Sequence, residues 1–142
     1  MGDNSNCQLG FPVAQAIRVS QPMMVSSISP KPGKAVSSVH CADYASFAVL
    51  SSHADEEADE LYSWGSSMTA GIVSQKQAPK KVEFPDTASE QVLKIKMMSA
   101  GADHAALVTK HHEIFVWGEN SYGQLGLSDN QKRLTPVLNQ QV

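Results

Sequence analysis

Several side chains in this sequence are types that do chemistry. Asp103-His104, with a serine nearby, supplies two of the three groups of a hydrolytic triad. A triad needs its members to converge in space beside an oxyanion hole, and adjacency along a chain does not supply that. His111-His112 offers two imidazoles. Neighbouring side chains of extended backbone point to opposite sides, so the pair does not grip one metal ion. His40-Cys41 would serve as a ligand pair or an activated thiol, but the plainer expectation is a buried strand end. Gly118, Gly123 and Gly126 punctuate a loop as a phosphate loop is punctuated, yet no Lys-Ser or Lys-Thr follows them. The acidic run Asp55, Glu56, Glu57, Asp59 and Glu60 remains. Such a run is usually a solvated loop. The sharper expectation is a partner-binding loop for a basic protein, because inserted loops on a rigid scaffold concentrate binding residues. These patterns imply no catalytic residue, no cofactor and no metal.

Length and composition set the frame for those residues. The chain has 142 residues, 42% hydrophobic and 18% charged, within the range of ordinary globular domains. Eleven basic residues face 14 acidic ones, a net charge of -3, which gives no field to draw in a phosphate backbone. Nucleic-acid binding is therefore not expected of this segment. Two cysteines, Cys7 and Cys41, are too few for a disulfide framework and too far apart for a zinc knuckle. No apolar stretch is long enough to span a bilayer as a helix, and the amino terminus has no basic start or apolar core. An intracellular protein, cytoplasmic or nuclear, is the resulting expectation.

The elements that carry these residues are repeats. Residues 117–126 read Trp-Gly-Glu-Asn-Ser-Tyr-Gly-Gln-Leu-Gly, and residues 2–10 read Gly-Asp-Asn-Ser-Asn-Cys-Gln-Leu-Gly. With a constant offset, Gly2 matches Gly118, Asn4 matches Asn120, and Gly10 matches Gly126; Met1 falls at Trp117 and Cys7 at Gly123. A third copy lies between them, where Tyr62-Ser63-Trp64-Gly65 matches Phe115-Val116-Trp117-Gly118. Its loop over 66–72 has lost the pattern. Upstream, Cys41-Ala42-Asp43-Tyr44 is set against Gly101-Ala102-Asp103-His104. Pro22, Pro79 and Pro136 each precede apolar residues that close a unit. The Trp-Gly glycines are spaced 63 and then 53 residues apart, near the length of a four-stranded propeller blade.

The order Gly101-Ala102-Asp103-His104, an apolar strand, Trp117-Gly118, Gly123-Gln124-Leu125-Gly126, then Pro136 resembles the regulator of chromosome condensation repeat. The resemblance implies an all-β fold of antiparallel four-stranded blades, here about two blades plus part of a third. Residues 1–25 would be the tail of a preceding repeat. Residues 35–85 would form a degenerate repeat with an acidic insertion at 54–60, and residues 92–142 a well-preserved one. Gly2, Gly10, Trp64, Gly65, Gly101, His104, Trp117, Gly118, Gly123 and Gly126 would be its structural repeat residues, Trp64 and Trp117 in the core.

The hydrophobic pattern supports that plan. Over 93–98, Ile95 and Met97 alternate with Lys94 and Lys96, predicting a strand with the lysines facing solvent. Residues 104–109 are continuously small and apolar, predicting a strand covered on both faces. Residues 110–113 form a turn, and 114–117 a third strand. The middle copy places strands at 36–39, 47–50 and 61–64. Residues 23–35 and 86–91 read as inter-blade loops, the second with a helical turn.

Two function classes follow. Propellers present loops on a rigid ring, and the resemblance implies a protein-interaction or regulatory scaffold. It also implies an alternative, because the founding member of the family is an exchange factor for the small GTPase Ran. That member uses a β-hairpin wedge with acidic and histidine residues on one face of a seven-bladed ring. A propeller closes with 4 to 8 blades. The chain is therefore expected to be a segment of a larger propeller, with self-association through open blade edges as the other outcome.

Overall fold

The computed structural model describes residues 1–28, 31–65, 76–85 and 91–141. The expected loop at 66–72 and most of the one at 86–91 lie outside them. Among the described residues ten strands run in chain order: β1 (Gly2–Asp3), β2 (Arg18–Val19), β3 (Lys34–Cys41), β4 (Ala45–Ser52), β5 (Glu60–Gly65), β6 (Lys76–Lys81), β7 (Ile95–Ala100), β8 (His104–Thr109), β9 (Ile114–Gly118) and β10 (Arg133–Leu138). They form two antiparallel four-stranded meanders, β3-β4-β5-β6 and β7-β8-β9-β10, and a short β1-β2 pair. β6 and β10 are outer strands, where Pro79 and Pro136 cost no central ladder bond. Each proline falls in a stretch where the register shifts.

The sheets stack face to face. Phe47 and Val49 of β4 and Leu61 of β5 pack on Met98, Leu107, Phe115 and Trp117. Phe47 meets the Trp117 ring edge-on, and Phe84, in the link between the sheets, meets Phe115 edge-on with ring centres 5.3 Å apart. Edge-to-face pairs add about 1 kcal/mol each beyond their buried area. Trp64 packs on the opposite face with Ala48 and Leu50, and its Nε1 donates to the Gln8 carbonyl of the first repeat at 2.9 Å. Each tryptophan thus reaches back to the preceding unit.

A bulge recurs at the same place in both sheets. Ser37 is passed over between Val36 and Ser38, and Lys96 between Ile95 and Met97. The bulge overturns the simple alternation read for 93–98. An extra residue flips the side-chain phase. Ile95 stays buried, Met97 is 57% exposed and Met98 takes its place inside. Lys94, expected in solvent, is 7% exposed. The β8 expectation is also corrected. Ala105, Leu107 and Thr109 are buried, whereas His104, Ala106 and Val108 are half-exposed.

The same register corrects the alignment of the two repeats by one residue. Gly65 pairs with Ala45, and Gly118 with His104. The Ala42 amide donates to the Ala45 carbonyl, as the Gly101 amide does to that of His104, both at 2.8 Å. So Ala42, and not Cys41, stands at Gly101, and Ala45, and not Tyr44, stands at His104. At Gly65 and Gly118 φ is +103° and +109°, and a Cβ would fall 2.2 Å from the Tyr44 or Asp103 carbonyl oxygen. Backbone contact and positive φ together require glycine after each tryptophan.

Candidate interaction surface

In these meanders the β3-β4 and β7-β8 turns share one end of the sheets with the loops after Gly2 and Gly118. The β4-β5 and β8-β9 turns lie at the other. The first end carries the repeat loops. In both well-preserved copies a fully buried asparagine holds the loop closed. The Leu9 amide donates to Asn4 Oδ1 at 3.0 Å, and the Leu125 amide to Asn120 Oδ1 at 2.9 Å. Asn4 Nδ2 donates to the carbonyls of Phe11 and Ala16, and Asn120 Nδ2 to that of Asp129. Gln8 and Gln124 each accept the amide two residues before them. Cys7 stands at Gly123 with φ +60° against +74°, so the loop keeps its left-handed step without the glycine.

His104 lies over Gly101, where a Cβ would meet its Cε1 at 2.8 Å. Asp103 contributes its backbone carbonyl, which accepts the Glu119 amide. Both residues are thus used in packing and backbone hydrogen bonding. His111-His112 occupies the β8-β9 turn, with His112 at φ +67°. The expectation of a buried end at His40-Cys41 is corrected. Cys41 is exposed, and His40 is half-buried with Nε2 3.0 Å from Ser38 Oγ. That end is open because Val39, His40 and Cys41 line a groove facing the first repeat. Among the described residues, no three metal-ligating side chains gather.

The acidic run sits at the opposite end and divides in two. Asp59 and Glu60 are 3% and 6% exposed. Asp59 Oδ2 accepts the Ile95 amide at 2.8 Å, Oδ1 accepts the Ser52 amide at 3.0 Å, and Lys94 Nζ lies 3.7 Å from Oδ1. Lys94 also donates to the carbonyls of Ala54 and Ser52. The Asp59 amide donates to the Leu93 carbonyl. One carboxylate therefore joins both ends of the insertion to the first strand of the next sheet. Glu60 accepts from Lys34 at 2.9 Å and from Tyr62, and lies 3.4 Å from Lys81. The Lys34 hydrogen bond holds the Glu60 carboxyl below its usual range, and Glu60 in turn raises Lys34. Asp55 and Glu56 are exposed and Glu57 is half-exposed. Glu57 accepts from Ser52 Oγ at 2.6 Å, and that bond, with Lys34 nearby, lowers its carboxyl.

Sequence reasoning missed Lys34 and Lys94. Lys94 precedes the bulge, and its burial follows from Asp59 and the Ser52 and Ala54 carbonyls, distant in sequence, against the alternation that assigned it to solvent. The remaining signal was that two basic residues open the first strands of both sheets near an acidic insertion.

The architecture is that of a β-propeller segment, all-β with antiparallel four-stranded blades. Residues 95–124 and 111–142 match the Regulator of chromosome condensation (RCC1) repeat. The chain is similar to the ultraviolet-B receptor UVR8 of Arabidopsis thaliana, 35% identical over 81 residues, covering 54% of this chain and 17% of the receptor. It is also similar to the probable E3 ubiquitin-protein ligase HERC4 of Rattus norvegicus, 33% identical over 106 residues, covering 70% and 9%. The solved structure of Prp20p from Saccharomyces cerevisiae, described with its binding to Gsp1p and histones, matches with TM-score 0.68 at 18% identity, over 96% of this chain and 32% of Prp20p. The chain belongs to the regulator of chromosome condensation repeat family. It spans less than a fifth of these curated relatives and about a third of Prp20p.

Proposed function

We propose that the chain is part of a protein-interaction or regulatory scaffold, and that Asp55 and Glu56 form its contact for a basic partner protein. The observation that carries this is the division of the acidic run. Asp59 and Glu60 are consumed in bracing the hairpin, while Asp55 and Glu56 are exposed beside that braced base and Glu57, half-exposed, is held by Ser52 and Lys34. A braced loop loses little conformational freedom when a partner docks. Charge complementarity at such a loop acts mainly on the association rate. The test is the double variant Asp55→Asn, Glu56→Gln in the full-length parent protein, against each partner purified with it. Association slowed tenfold at low salt, with unchanged melting temperature, is the expected result. Unaltered association with every partner would sink the acidic-loop reading.

A second reading is guanine-nucleotide exchange on a Ran-like small GTPase. It is favoured by the likeness in fold to Prp20p, described with binding to Gsp1p. Release of labelled GDP from Ran, with and without the parent protein, separates it from a scaffold. Acceleration supports exchange, and an unchanged rate leaves the scaffold.

A further inference from the structure

We draw no further inference here: the strongest candidate, the half-exposed Ser52 hydroxyl at the base of the acidic β4-β5 hairpin with Asp55, Glu56 and Glu57 after it, belongs to the surface already described, and beyond that acidic run nothing among the described residues points to a ligand or a modifying enzyme there.

Discussion

The two complete sheets have the same topology, the same bulge and the same glycine after tryptophan, yet they are held together differently. In the β7-β10 sheet the repeat residues do the work. His104 covers Gly101, a four-residue turn joins β8 to β9, and Asn120 closes the long loop. In the β3-β6 sheet the histidine has become Ala45, the glycine Ala42, and the short turn an acidic hairpin. Buried ion pairs fix that hairpin, Lys34 with Glu60 and Lys94 with Asp59. A repeat signature is therefore a set of mutually dependent contacts. Where the set is lost, the backbone plan survives on others, and those carry a desolvation cost that apolar contacts avoid.

The largest expected effect comes from removing the charge that joins the sheets. Asp59→Ala leaves the Lys94 ammonium at 7% exposure without its carboxylate and takes the acceptor from two amides, Ser52 and Ile95. Breaking a buried pair from one side costs roughly 3–5 kcal/mol. Asp55→Ala, on the exposed part of the same hairpin, should stay within about 0.5 kcal/mol. Urea denaturation followed by tryptophan fluorescence measures both. Equal effects would mean that the division of the acidic run is wrong.

Glu60 sharpens the comparison through pH. Its folded carboxyl is lowered by Lys34, so its contribution is present above the unfolded value, near 4.3, and fades as pH falls through the folded one. Lys34 is raised by Glu60, so its share is lost only as pH rises through the folded lysine value. Glu60→Gln should cost about 2 kcal/mol at pH 7, because Lys34 stays buried beside a neutral acceptor. Below pH 4 the gap to wild type should narrow. Parallel stability curves from pH 7 to pH 3 would show that Glu60 contributes no charge-dependent stability.

Much of the fold was legible because its rules are local. Period-two stretches, the tryptophan-glycine step and turn residues gave six of the eight strands of the two sheets within a few positions, 104–109 to the residue, and marked the two outer strands only by Pro79 and Pro136. What stayed hidden depended on partners distant in sequence. The bulges at Ser37 and Lys96 leave no local mark, and each inverts the side-chain phase of the residues after it. Asp59 and Glu60 look like Asp55 and Glu56 in a string of acids; pairing with residues 26 and 36 positions away separates them. The one-residue slip at Asp43-Tyr44 arose because an aspartate recurs in both turns, whereas the register is set by Gly65 and Gly118.

The smallest expected effect tests the dependence within the signature. A Cβ at residue 101 would meet the His104 ring at 2.8 Å, tighter than van der Waals contact allows, but a ring can swing aside where backbone cannot. Gly101→Ala should therefore cost about 1 kcal/mol, the low end for overpacking. The β3-β6 sheet already holds the alternative, Ala42 with Ala45. His104→Ala should remove most of the penalty of Gly101→Ala, leaving a coupling of about 1 kcal/mol in a double-mutant cycle. Additive costs would mean that glycine is needed at 101 for its backbone, and that the alanine pair in the other sheet is coincidence. A coupled cycle would mean that one sheet has already made, as a pair, the exchange that the other resists one residue at a time.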